Sequence, residues 1–135
     1  MYNSDSVEGV IAAMRAHPDA AEVQELGCAK LANLARWRST AIAEAGGIGD
    51  AVAAMRAHPG VPGVQELGCR VLAKLAAGQP ANQAAIVAAG GRESAVAAMI
   101  AYPDNEGVQQ QGCAVSFWLV NREPPQGSPQ GGGRE

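Results

Sequence analysis

The sequence predicts an all-α chain assembled from about three stacked helical units. Two recurring motifs and one shared period predict it. Met14-Arg15-Ala16-His17-Pro18 returns as Met55-Arg56-Ala57-His58-Pro59 and then, altered, as Met99-Ile100-Ala101-Tyr102-Pro103. Ten residues after each Met comes Gln24-Glu25-Leu26-Gly27-Cys28, then Gln65-Glu66-Leu67-Gly68-Cys69, then Gln109-Gln110-Gln111-Gly112-Cys113. Both motifs move by the same steps, 41 residues and then 44, so the unit is copied whole. A fixed period of this size marks stacked helical repeats, which work through their surfaces rather than through a buried catalytic centre.

The first helix of a copy carries Val7, Val10, Ile11 and Met14, and its counterpart Ile48, Ala51, Val52 and Met55. The spacing i, i+3, i+4, i+7 is one apolar stripe of an amphipathic helix. Pro18, Pro59 and Pro103 end it, since proline lacks an N–H and disfavours helix in the residue before it. Asp19 and Asp104 follow as turn residues.

A longer helix follows over about residues 23–35, with Val23, Gly27, Leu31 and Leu34 in a stripe beside Leu26. Its copy reads Val64, Leu67, Gly68, Leu72 and Leu75. Another flank holds only small residues, Cys28, Ala32 and Ala35, then Cys69, Ala73 and Ala76. Small side chains let helices approach closely, which assigns this flank to the contact between adjacent copies. A short helix is expected over residues 39–45 and 83–89, anchored by Ile42 and Ile86. Gly46-Gly47 and Gly90-Gly91 end it, because glycine takes the left-handed conformation at a helix C-terminus. The three extra residues of the longer period fall near Gly78-Gln79-Pro80, in a loop.

A short helix ending in Ala-Gly-Gly, a middle helix, and a long helix reading Val-Gln-Glu-Leu-Gly-Cys…Leu-Ala-Asn-Leu-Ala resembles the armadillo repeat, over about residues 7–121. Asn82-Gln83-Ala84-Ala85-Ile86…Ala89-Gly90-Gly91 is similar to the repeat's first helix. The variety resembles that of leucine-rich-repeat protein kinases and related scaffold proteins. The resemblance implies a right-handed superhelical solenoid, non-catalytic, offering a surface to a protein or peptide partner. Peptide-binding members carry a tryptophan on the long helix and an asparagine four residues later. Here those places hold Ala29 and Asn33, then Arg70 and Lys74, then Ala114 and Trp118, so the regular asparagine ladder is absent.

Composition narrows the function classes. At 135 residues the chain is one domain by length. Aromatics are only 4%, but Ala, Val, Leu and Met suffice for closely packed helices. The net charge is −3 with no basic run, so no nucleic-acid partner is expected. No apolar run reaches membrane-spanning length, and the N-terminus lacks the basic and apolar regions of a secretory signal. An intracellular, cytoplasmic protein without membrane contact is the expectation.

Three cysteines at equivalent positions lie on helices roughly 8–10 Å apart, too far for one zinc ion or a disulfide. Cys28, Cys69 and Cys113 are therefore expected to be reduced, packed and metal-free. His17 and His58 fall in the last turn before proline, where they complement the helix dipole, and Tyr102 replaces them in copy three. Ser94 and Ser116 lack a neighbouring histidine or acid pattern, and the glycine doublets begin no phosphate loop. No catalytic centre, metal site or cofactor is predicted.

The long helix has one more stripe, opposite its core face. It holds Glu25, Ala29, Asn33 and Arg36, then Glu66, Arg70 and Lys74, then Gln110, Ala114, Trp118 and Asn121. It is either a solvated polar face or, as the resemblance implies, the lining of a concave groove. Phe117 adds an aromatic where the earlier copies carry Ala32 and Ala73, and an apolar patch beside Trp118 suits docking or self-association. The candidate binding residues are Asn33, Arg36, Arg70, Lys74, Phe117, Trp118 and Asn121.

The expected division is a leading segment 1–6, repeats over about 7–47, 48–91 and 92–122, and a disordered Pro/Gly-rich tail 123–135. The first copy begins without a short helix, as a fragment of a longer array would. A protein-interaction module is the expected function. The alternative is a structural or regulatory segment of a larger signalling protein such as a kinase, without a ligand of its own.

Overall fold

The computed structural model describes residues 6–119. Asn121, the leading residues 1–5 and the tail 123–135 lie outside them. Among the described residues the chain is all-helical: α1 (Val7–Ala16), α2 (Ala21–Glu44), α3 (Gly47–Ala57), α4 (Pro62–Ala76), α5 (Pro80–Ala89), α6 (Gly91–Ala101) and α7 (Glu106–Leu119).

Local chemistry sets the ends. Ser6 Oγ accepts the Gly9 N–H at 3.0 Å and starts α1, a side-chain cap for one of the unpaired first-turn donors. Pro18, Pro59 and Pro103 follow directly on the cap residues His17, His58 and Tyr102. Gly46 and Gly90 take φ of +88° and +85°, which only glycine adopts without strain, and the next helix starts one residue later.

In copy one the expected long and short helices are joined directly: α2 comprises two helical stretches that meet at a kink at Arg38 (φ −129°, ψ 30°), the second running on to Glu44. In copy two the three extra residues, with Gly78 at φ +68°, break the same path into α4 and α5. There Asn82 Nδ2 and Gln83 Nε2 donate to the carbonyls of Leu75 and Ala76 at 2.9 and 2.7 Å, covering the end of α4.

The long helices lie side by side, α2 against α4 and α4 against α7, each backed by its own shorter helix. One continuous core runs through them, with Leu31, Leu72, Leu75, Ile42, Ile86 and Leu119 fully enclosed. Cys28, Ala32 and Ala35 on α2, and Cys69, Ala73 and Ala76 on α4, are buried as the small-residue flank requires. Cys113 is the exception. It is exposed, because no described helix covers that flank of α7.

The recurring motifs are packing devices. Gln24, Gln65 and Gln109 each send Nε2 to two carbonyls at the end of the preceding helix, those of Met14 and His17, Met55 and His58, and Met99 and Tyr102, at 2.8–3.0 Å. The Met carbonyls are orphaned because proline stands where their helical donor would be, while those of His17, His58 and Tyr102 also accept the backbone N–H of Ala20, Val61 and Asn105. Gly27, Gly68 and Gly112 leave room for the side chains of Met14, Met55 and Met99, which a Cβ would overlap.

Other contacts join one copy to the next. The His58 ring nitrogen Nε2 meets the Pro18 carbonyl at 2.9 Å, and Tyr102 Oη donates to the Pro59 carbonyl at 2.7 Å. The exchange of His for Tyr therefore keeps the same inter-copy bond. Arg15 donates to both Asp50 carboxylate oxygens and to the Ala45 carbonyl at 3.0 Å each. Glu25 and Glu66 press their carboxylates against Gly63 and Gly107, in the first turns of α4 and α7. A negative charge there complements the helix dipole.

Candidate groove on the long helices

The stripe opposite the core runs down α2, α4 and α7, and its middle forms a cavity. Asn33 from α2, Arg70, Ala73, Lys74 and Ala77 from or just after α4, and Gln111 from α7 line about 370 Å³ of open space. Three successive copies thus contribute to one site. Asn33 and Lys74 are exposed, while Arg70 and Gln111 are half-buried.

Its electrostatics follow from the distribution of charge along the helices. Glu22, Glu25 and Glu66 lie in the N-terminal halves of α2 and α4, whereas Arg36, Arg38, Arg70 and Lys74 lie further along. Glu25 and Glu66 are turned toward the next helix's first turn, and no carboxylate lines the cavity. Glu66 does reach Arg70, at 3.4 Å, one turn away. An exposed i,i+4 pair of that length is worth only a few tenths of a kcal/mol, and the guanidinium keeps further donors for a ligand. Two cations, an asparagine amide and a glutamine amide therefore face one opening, a set that suits an anionic, hydrogen-bonding group.

The remaining candidates are placed apart. Arg36 does not line the cavity; its guanidinium lies over the Trp37 ring, 5.6 Å from the centroid. Trp118 is half-buried against the core, and Phe117 meets it edge-to-face at 5.2 Å while remaining 68% exposed. One contributor escaped the stripe reading: Gln111 sits just off the stripe by helical spacing. Trp37, 77% exposed, stands at the bend of α2 and does not line the cavity.

Among the described residues no group of three or more His, Cys, Asp or Glu could hold a metal ion. No single helix there is long and apolar enough to cross a membrane. Burial pushes the Cys28 and Cys69 thiols up to about 12, with Asp50 and Glu25 adding to the effect at Cys28. Both stay protonated at neutral pH, and the thiol form is a poor nucleophile. In the native protein, one thiol (Cys113) is expected to react rapidly with an aromatic disulfide reagent, and all three only after denaturation. Three fast thiols in the native state would contradict the packing.

No protein-family model, curated protein or solved structure matches the chain.

Proposed function

We propose that the chain is a non-catalytic protein-interaction module, an armadillo-like right-handed solenoid of about three repeats whose groove holds an extended polypeptide segment. The convergence of Asn33, Arg70, Lys74 and Gln111 from three copies on one cavity carries this reading. No carboxylate lines the cavity: Glu25 lies against the first turn of α4, and Glu66, set between the first turn of α7 and Arg70, leaves that guanidinium further donors for a ligand. The partner segment presents an acidic side chain to Arg70 and Lys74, while the two amides hold its backbone. Stacked repeats bind in this manner because each adds one more increment of concave surface.

The test is an array of synthetic extended peptides, acidic, neutral and basic, probed with the purified chain. Acidic peptides should be retained, with binding that weakens as salt rises. Arg70→Glu with Lys74→Glu should weaken that binding by about tenfold or more, as truncation of interface charges commonly does. Retention of basic peptides, or indifference to the double substitution, would overturn the assignment.

A further inference from the structure

We infer that the cleft between α3 and α6 binds a carboxylate carried on a short aliphatic chain, held by Arg56 and Ser94. The inference is independent of the groove, with which this cleft shares no lining residue. It starts from a comparison of the two junctions between copies. At the first, Arg15 donates from Nε and Nη2 to the two carboxylate oxygens of Asp50, at 3.0 Å each. At the second, Arg56 takes the place of Arg15, but the fourth residue of the helix is Ser94 in α6 where it is Asp50 in α3. The pair has kept its cation and lost its carboxylate.

The cation has not moved. Nη2 of Arg56 fills the space that a Cβ on Gly90 would take, as Nη2 of Arg15 does at Gly46. Neither the Arg56 guanidinium nor the Ser94 hydroxyl has a partner among the described residues. Ser94 is only 7% exposed and lines the cleft. A hydroxyl so enclosed normally finds a hydrogen-bond partner. The vacant position between these two groups is the one that the Asp50 carboxylate fills at the first junction. A guanidinium fork matches a carboxylate with two parallel N–H bonds, and the hydroxyl adds a third donor.

The rest of the cleft decides what the carboxylate is attached to. Met55, Pro59, Ala97 and Ala101 give it an apolar wall around about 140 Å³ of space. A cavity of roughly 150 Å³ holds a molecule the size of benzene, so a branched chain of roughly four or five carbons fits. Gln65 also lines the cleft, but its Nε2 is spent on the Met55 and His58 carbonyls. Glu93 Oε1 lies 3.9 Å from the same Gly90 position without pairing with Arg56. Its charge repels a dianionic phosphate more strongly than a carboxylate, which carries a single charge. A short branched acid supplies this chemistry, and so does a polypeptide that ends in leucine or valine.

Nuclear magnetic resonance of the isotope-labelled full chain tests this, with 4-methylpentanoate and its amide as probes. The acid should give saturable shifts at the Arg56 side-chain N–H and at the Ser94 and Ala97 amides, and the amide should not. Arg56→Gln should weaken binding by about tenfold or more at unchanged helicity, since Arg56 is exposed. Ser94→Asp should rebuild within the chain the pair that Arg15 makes with Asp50, and so abolish binding. Arg70→Glu with Lys74→Glu should bind the acid normally, which separates this site from the groove. A short peptide ending in leucine, with a free or an amidated terminus, distinguishes the two sources. Tighter binding of the free-terminus peptide than of the acid assigns the cleft to a polypeptide end, and weaker binding assigns it to a small acid. Absence of saturable shifts with both carboxylates, equal binding of the amides, or unchanged binding in Arg56→Gln would each overturn the inference.

Discussion

Gln65→Leu is expected to destabilise the domain by about 1–3 kcal/mol, because the buried Met55 carbonyl loses its donor. Gln65 is 4% exposed, and its Nε2 donates to the Met55 carbonyl at 2.8 Å and the His58 carbonyl at 3.0 Å. Leucine fills most of the same volume, so the loss is one of hydrogen bonding rather than of packing. An unsatisfied buried acceptor costs roughly 1–3 kcal/mol, and one is created here, since the His58 carbonyl keeps the Val61 N–H at 3.1 Å. Pro59 stands where the helical N–H donor to the Met55 carbonyl would be, so the backbone supplies no replacement there. Gln109→Leu makes the comparison sharp. It breaks the same pair of bonds in copy three, where Gln109 is only half-buried, so water can take over and the loss should be smaller. Urea denaturation followed by circular dichroism measures both. Equal losses at the two sites, or a loss at Gln65 within the few tenths typical of surface changes, would mean that the clamp is not what fixes the helix end.

These same glutamines mark the limit of what the sequence made legible. Periodicity identified the helices, and the prolines and glycine doublets located their ends, because those signals act within a few residues. The small flank of Cys28, Ala32 and Ala35 was legible for a similar reason: helix spacing alone places these residues together. The motif Gln-Glu-Leu-Gly-Cys was visible as a repeat, but the role of each letter was not. Gln65 acts on carbonyls 7 and 10 residues back, Glu66 acts on a glycine of the following copy, and Gly68 acts by what it leaves empty. Those are tertiary relations, and no local propensity encodes them.

Tyr102 stands where the first two copies carry histidine, and the sequence alone assigned the exchange no role. In space the exchange preserves a contact, since either ring delivers a polar atom to the preceding copy's proline carbonyl. Cys113 was expected to be packed by analogy with its two counterparts. Burial of that flank depends on a neighbour, which a position within the unit cannot supply. The lining of the cavity was half legible. Asn33, Arg70 and Lys74 share one stripe by helical spacing, whereas Gln111 enters only because α7 packs beside α4.

Gly68→Ala is expected to destabilise by about 1–3 kcal/mol, although alanine at an ordinary helix interior stabilises by about 1 kcal/mol relative to glycine. The sign is the informative quantity. Gly68 lies inside α4 at no unusual φ, so backbone freedom gives no reason to keep glycine there. The reason is Met55, whose Cγ would overlap an added Cβ and whose Sδ would lie 2.7 Å from it. Met55 is 2% exposed and enclosed by core, so its flexible thioether has few other rotamers in which to retreat. Relief must then come from moving α3 away from α4, which loosens the packing of the central repeat. A double-mutant cycle isolates this contact. Met55→Ala alone should cost about 2–5 kcal/mol through the cavity it leaves. In that background Gly68→Ala should become neutral or stabilising, because the cavity accepts the methyl group and the helix gains its propensity. If Gly68→Ala costs the same with and without Met55, the methionine is not what selects glycine in this motif. The equivalent cycle at Met14 and Gly27, where Met14 is also 2% exposed, should then fail in the same way.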